Sequence, residues 1–246
     1  MSEMAARHDW ELIACPICAG TTFRHLFDKA DEPFVRCVDC SLTLINPRPP
    51  FAIIRDHYDA AYSASYTRKA EAKIIRARKR VARIGRESGR WLDVGCSAGF
   101  VVKAATEAGF EAFGVDIEAD GIAYGRDTLG LSRLACGVLE DQHYPAAQFD
   151  VISAYDIIEH VPDLNRFVAE LARILAPGGV IDIGTPDIGH WRVPRTLSLW
   201  NELKPSEHLY YFNRKTLGRL LAHHGLRIMR KRFALKPSLK VLVARA

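Results

Sequence analysis

Trp91-Leu92-Asp93-Val94-Gly95-Cys96-Ser97-Ala98-Gly99-Phe100 decides how this chain is read. A short apolar run ends in a turn with two glycines and a serine, and an apolar, helix-forming run begins at Phe100. That order predicts strand, Gly loop and helix, a unit that brings backbone N–H groups and a helix N-terminus up to a polar ligand. Asp116 closes the next apolar run, 21 positions after Gly95. Parallel neighbours end side by side, so an acid there reaches the hydroxyls of a ribose. The glycines are spaced G-x-x-x-G, without the G-x-G-x-x-G pattern that lets a pyrophosphate approach the backbone. The spacing favours a nucleoside ligand without a pyrophosphate.

Downstream, strand and helix patterns alternate. Strands are predicted over 91–95, 111–116, 133–138, 149–155 and 179–184, with helices over 100–108, 121–128 and 164–175. Alternation of this kind predicts an α/β fold with a parallel sheet covered on both faces. Ala176-Pro177-Gly178-Gly179 stops the third helix and turns the chain into a strand. Two final strands are read over 227–233 and 239–244.

At 246 residues the chain allows one sizeable α/β domain and a small module. Hydrophobic content of 48% and charged content of 26% are those of a globular protein. No apolar run approaches the roughly 18 residues of a membrane span, and the first ten residues lack a signal-peptide core. A soluble, cytoplasmic protein is expected, with no membrane partner. Four of the six cysteines form Cys15-x-x-Cys18 and Cys37-x-x-Cys40. Paired knuckles in such a chain read as one tetrahedral zinc site; a redox dithiol pair is the alternative. Four thiolates make a closed, structural site. Cys96 and Cys136 read as small apolar residues.

The organisation expected is a zinc ribbon over 1–47, a helical linker over 48–90 and the α/β domain over 91–246, interrupted by a segment over 185–213. Asn46-Pro47-Arg48-Pro49-Pro50 is a stiff connector. Residues 68–90 carry ten basic side chains against Glu71 and Glu87, in a chain whose net charge is +5. Ile74, Ala77, Val81 and Ile84 form an apolar stripe at helical spacing. The cationic face is either solvated or a dock for an anionic partner.

The strand–loop–helix unit, Asp116 and the strand ends resemble class I S-adenosylmethionine-dependent methyltransferases, over roughly residues 90–246. Cys37 to Pro50 resembles the junction of the zinc-ribbon members, which modify small molecules. The resemblance implies a Rossmann-like seven-stranded sheet ending in an antiparallel hairpin. It implies that Asp93, Gly95, Cys96, Ser97, Gly99 and Phe100 surround the methionine end of the cofactor and that Asp116 holds the ribose. Ile117 would pack on the adenine, whose edge Val138, Leu139 and Glu140 would meet. Val138 stands where many relatives have Asp, which leaves that edge to a backbone N–H or to Glu140.

Ser153 to Pro162 resembles the family's strand-four signature, an acid followed by Glu-His. A helical turn there would put Asp156, Glu159 and His160 on one face. Asp156 would touch the cofactor amino group or the acceptor; Glu159 and His160 would hold the loop or take part. Lys204 to Phe212, rich in aromatics, resembles the substrate side of small-molecule members. His208 there is either a base for the acceptor or a packing residue. With Asp156, Glu159 and His160 it resembles the divalent-metal pattern E-x-x-E-H plus His of ubiquinone-type and small-RNA methyltransferases, which would hold Mg²⁺. Tyr62 and Tyr66 would fold over the site or pack in the core.

The function expected is methyl transfer to an O, N or C nucleophile of a small molecule, anionic or carrier-bound. An RNA methyltransferase is the rival, disfavoured because charges between Cys15 and Cys40 balance near neutral. A non-catalytic cofactor-binding scaffold is the third reading.

Overall fold

The computed structural model describes residues 10–50 and 70–246. The expectations for Tyr62 and Tyr66 lie outside them. A seven-stranded sheet has the order β10-β11-β8-β7-β4-β5-β6. Its parallel part is β4 (Arg90–Val94), β5 (Glu111–Asp116), β6 (Leu134–Cys136), β7 (Phe149–Tyr155) and β8 (Leu175–Pro186). β10 (Leu226–Arg232) and β11 (Ser238–Arg245) form the antiparallel edge hairpin. This is the Rossmann-like architecture expected.

The element bounds follow local chemistry. β6 is shorter than the predicted 133–138, because Gly137 takes a φ of 135° and donates its N–H to Asp116 O at 2.8 Å. β8 begins earlier than predicted, at Leu175; the Pro177–Gly179 stretch is a bulge in the register between Phe149 and Val151. Leu92, Ile152, Ala154, Ile181 and Ile183 alternate inward on one face. There they pack with α4 (Leu164–Ile174) and α5 (Arg214–His223). Trp91, Val151 and Val180 face the other way. They pack with α1 (Ala70–Ala82) and α2 (Phe100–Glu107); α3 (Ala119–Asp127) joins through Ile122. Ala77 and Val81 are the buried stripe of α1. Among the described residues no helix is long and apolar enough to cross a membrane.

The N-terminal module does not close on itself. β1 (Phe23–Lys29), β2 (Glu32–Cys37) and β3 (Thr43–Ile45) form an antiparallel sheet whose fourth strand, β9 (Tyr210–Tyr211), comes from the segment after β8. Thr43 pairs with Tyr211 and Leu44 with Tyr210. The sheet thus crosses the boundary read at residue 47. Cys15, Val35, Leu42 and Leu44 share one apolar core with Leu164, Leu209, Tyr210 and Phe212.

Arg48, 7% exposed, pins the join. Its guanidinium donates to Tyr210 Oη at 2.6 Å and to Pro162 O at 3.1 Å. Arg48→Ala removes both bonds and leaves Tyr210 Oη and Pro162 O only the 3.1 Å bond that they make to each other, which should destabilise the fold by about 1–3 kcal/mol, read by urea unfolding. An unchanged midpoint would show that Arg48 contributes nothing to the join.

Candidate active site and metal centre

The Gly loop is shaped by close approaches. Gly95 has φ 71°, and a Cβ there would lie 2.1 Å from Ile157 Cδ1. Gly99, φ 79°, caps α2, and a Cβ there would meet Leu131 at 2.6 Å. Loop amides are largely used within the loop. Gly95 N and Cys96 N donate to Val115 O, Gly99 N to Cys96 O, and Ser97 N to Asp116 Oδ2 at 2.6 Å. Gly99 offers no side-chain cap, so the first N–H groups of α2, from Phe100 on, are the loop's anion-binding feature.

Asp116 ties two segments together, since Oδ1 also accepts from Glu118 N at 2.9 Å. Burial raises its carboxyl, and these N–H groups lower it. A carboxylate accepts about four hydrogen bonds, so capacity remains for a ribose diol. Ile117 is half-buried beside it. Val138 caps a short 3₁₀ turn, Leu139–Gln142, in which Leu139 is buried and Glu140 half-buried. Leu139 belongs to the core cluster, whereas burial pushes the Glu140 carboxyl up.

Asp93 points under the sheet. It is 4% exposed and accepts from Ser153 Oγ at 2.5 Å, while Trp91 Nε1 donates to the same hydroxyl at 2.8 Å. Burial raises its carboxyl to about 7.

At the end of β7 the expected helical turn does not form. Asp156 takes a left-handed φ of 58° and donates its N–H to Gly184 O, so the chain leaves the strand in a non-helical turn. The constellation changes accordingly. Asp156 stands exposed and apart from Glu159 and His160. Glu159, His160 and His208 instead converge, their ligand atoms within 4.8 Å of one another. The His160 and His208 rings meet edge to face at 4.6 Å. His160 Nδ1 donates to Glu207 O at 2.8 Å and His208 Nδ1 to Glu202 O at 2.9 Å. Both rings are therefore Nδ1–H tautomers with a lone pair on Nε2. Glu159 Oε2 accepts from Thr185 Oγ1 at 2.9 Å, and buried Oε1 has no hydrogen-bond partner. Burial drives all three toward neutrality. Glu159 is raised to about 8, His160 lowered to about 4 and His208 to about 3. Thr185 was not singled out from sequence; its position at the end of β8, beside β7, is the signal that marks it.

The ribbon brings four thiols together. Cys15 and Cys40 Sγ are 3.4 Å apart, as are Cys18 and Cys37. That is too long for a disulfide and near the ligand spacing of a tetrahedral site. The knuckles repeat one geometry. Ala19 and Ser41 each adopt left-handed φ and donate N–H to Cys15 O and Cys37 O. Backbone N–H groups of Ile17, Cys18, Asp39, Cys40 and Leu42 point at the sulfurs and favour thiolates, whereas burial pushes Cys15 and Cys40 up. The donor set fits zinc, which would lock the knuckles.

The basic run lies largely at the opposite edge. Arg90 pairs with Glu111 at 2.9 Å where β4 and β5 begin, Arg78 with Glu107 at 2.9 Å, and Arg86 donates to Gly178 O. Among the described residues of the run, Arg80 reaches over the Tyr155 ring at 4.0 Å and Lys73 over the Phe100 ring at 5.3 Å. A cavity of about 800 Å³ between the first knuckle, Arg48, Asn165, Arg219 and His223 is lined by no residue of the Gly loop and by none of Glu159, His160 and His208.

A family model described as a methyltransferase domain matches residues 66–231. The chain belongs to that family. It is 36% identical over 100 residues to a ubiquinone biosynthesis O-methyltransferase of Rhodopseudomonas palustris, covering 39% of each chain. A protein of the same name from Nitrobacter winogradskyi is 30% identical over 149 residues, or 52% of this chain and 56% of that one. The chain thus spans between about two-fifths and three-fifths of these curated relatives. A Pyrococcus horikoshii protein superposes with a TM-score of 0.63 at 18% identity, covering 78% of this chain and 99% of that one. An S-adenosylmethionine-dependent methyltransferase from Mesorhizobium loti gives 0.56 at 19%, covering 68% and 96%. These likenesses confirm the class I sheet.

Two expectations follow from the geometry. Purified protein should carry one zinc per chain by elemental analysis, and Cys15→Ser should cost stability rather than cofactor affinity. Metal-free protein from a reducing preparation would refute the zinc reading. The second concerns Asp93. A buried acid raised to about 7 keeps its proton in the folded state, so its contribution to stability is present below the unfolded value of 3.8 and is lost as pH rises through about 7. Ligand-free Asp93→Asn should therefore gain stability relative to the parent as pH rises from about 4 to about 7. Urea midpoints that keep a constant difference across that window would remove the assignment.

Proposed function

We propose that this chain transfers the methyl group of S-adenosylmethionine to a hydroxyl of a small molecule. The convergence of Glu159, His160 and His208 at the carboxyl end of β7 carries the reading. Ile157, in the same turn, packs on Gly95, which places this set next to the cofactor loop. Bound there, the sulfonium supplies the methyl. Asp116 would hold its ribose, the first turn of α2 its carboxylate, and Ile117 its adenine. The exposed Asp156 carboxylate would meet the cofactor amino group or the acceptor. Proximity and orientation supply most of the acceleration in such transfers.

His208 acts on the acceptor side. Its Nδ1 bond to Glu202 O fixes the ring, and its Nε2 lone pair can take or orient a hydroxyl proton. The same set supports a divalent-metal reading. Two neutral imidazoles and a buried carboxyl oxygen without a partner form a donor set, the expected one without Asp156. Two imidazoles suit a transition ion such as Mn²⁺ better than Mg²⁺. A bound ion would lower the pKa of the acceptor hydroxyl. Relatives named for ubiquinone biosynthesis O-methylation support a hydroxyl acceptor. A near-neutral ribbon and a basic run paired at the far edge support a small molecule over RNA.

The test supplies radiolabelled S-adenosylmethionine and cell extract split into small-molecule, protein and RNA fractions. Label should enter the small-molecule fraction. His208→Ala should lower that transfer by about 10²–10⁴-fold with cofactor affinity unchanged by calorimetry. Label confined to RNA would overturn the acceptor class, and full turnover in His208→Ala would remove His208 from the chemistry. Mn²⁺ bound by the parent but not by Glu159→Gln, seen by electron paramagnetic resonance, would select the metal over the simple base.

A further inference from the structure

We propose that Glu32, in the N-terminal ribbon, is a positioning residue for His208, so that the ribbon sets the acceptor side of the active centre. The proposal rests on the placement of His208 in the acceptor site. Glu32 opens β2 and is 1% exposed. Its Oε2 accepts from Ser206 N at 2.8 Å and its Oε1 from Ser206 Oγ. Both oxygens of a buried carboxylate are thus given to one residue, 174 positions away.

Ser206 lies inside the turn that delivers His208. Glu207 N and His208 N both donate to Lys204 O, at 3.2 and 2.9 Å. Ser206 itself holds a left-handed φ of 59°, which an L-residue with a side chain adopts only at a steric cost. The bonds from Glu32 hold it there. The ribbon grips the turn at two further points. Lys29 Nζ donates to Leu203 O at 2.9 Å, and Ile45 N donates to Leu209 O at 3.1 Å, next to the β3–β9 pairing. On its other side the turn is bound to the catalytic strand end. Leu209 N donates to Glu159 O at 2.8 Å, and Glu207 O accepts from His160. The turn is a middle layer, with Glu32 behind it and Glu159 and His160 in front.

Without Glu32, Ser206 N loses its carboxyl acceptor and the left-handed residue loses its restraint. His208 is two residues on. A displacement on the order of 1 Å at a catalytic group costs about a hundredfold in rate. The consequence should therefore appear at the imidazole rather than in the zinc knuckles or the Gly loop.

The experiment compares the parent with Glu32→Ala and Glu32→Gln, each with its metal content measured. Protein labelled with ¹³C-histidine gives ring signals that report on His208 and His160 without any acceptor. In Glu32→Ala these signals should shift or broaden. One zinc per chain and S-adenosylmethionine affinity by calorimetry should be kept, and methyl transfer should fall at least roughly tenfold in kcat. Glu32→Gln keeps one carbonyl oxygen for Ser206 N and should recover most of the rate. If Glu32→Ala loses its zinc, Ser206→Gly and Lys29→Met, which act at the turn without emptying the ribbon core, replace it under the same readouts. Unmoved ring signals with full turnover in a zinc-replete variant would overturn the proposal. Moved signals in a protein whose His208→Ala variant is fully active would uphold the positioning and reject the catalytic role of His208, so the two readings fail separately.

Discussion

A two-residue strand joins this molecule. Tyr210–Tyr211 belongs by sequence to the segment after β8, yet its backbone completes the ribbon sheet beside β3. Its side chains split between two cores. Tyr210 packs with Leu164, Leu217 and the knuckle residues, and Tyr211 with Phe34, Ile45 and Trp200. A strand of that length has little stability of its own. It persists because both faces are buried and because Arg48 and Lys204 N engage the two phenolic oxygens. Everything on the acceptor side hangs from this join, including the turn that carries His208.

The second constraint is electrostatic. Glu32, Asp93, Glu159 and His208 are all buried. Removing such groups from water costs several kcal/mol when they ionise, so burial shifts them toward their neutral forms. Glu32 and Asp93 use their oxygens on a serine each and act as connectors. Glu159 differs, because one of its oxygens is buried without a partner next to two imidazoles. An orphaned acceptor beside neutral nitrogen donors is poor packing and good coordination chemistry. This contrast separates the carboxylates that hold the fold from the one proposed for the chemistry.

Much of the class I sheet was legible because its signals are local. Alternating apolar runs, the glycines at 95 and 99 and the acid at 116 each report on a few neighbouring residues, and the structure places them as expected. The doubled C-x-x-C was equally legible, since its spacing alone brings two thiols to one point. The site was legible only in part. Glu159, His160 and His208 stood out by motif, but the helical turn assigned to 156–160 gave Asp156 a place it does not have. The left-handed φ at Asp156 has no pattern in an aspartate; glycine would have signalled it. Glu32, Arg48 and β9 were illegible for a different reason. Their partners lie 114 to 174 residues away in sequence, and no periodicity encodes a pairing of that range.

The core shared by module and domain also explains why a closed thiol site accompanies the proposed acceptor site. A ribbon of three short strands cannot bury a core of its own, and its apolar residues are shared with the larger domain. The β2–β3 pairing is only three residue pairs long, and any sliding of β2 would carry Glu32 with it. Four thiols gathered at one point restrain the hairpin ends against such sliding, because Cys37 closes β2 and Cys40 stands three residues before β3. The restraint reaches Ser206 through one carboxylate and His208 through one turn. On the proposed reading of His208, a cluster that takes no part in methyl transfer thereby fixes the geometry of a residue that does, and the ribbon supports the acceptor side without contributing a reacting group.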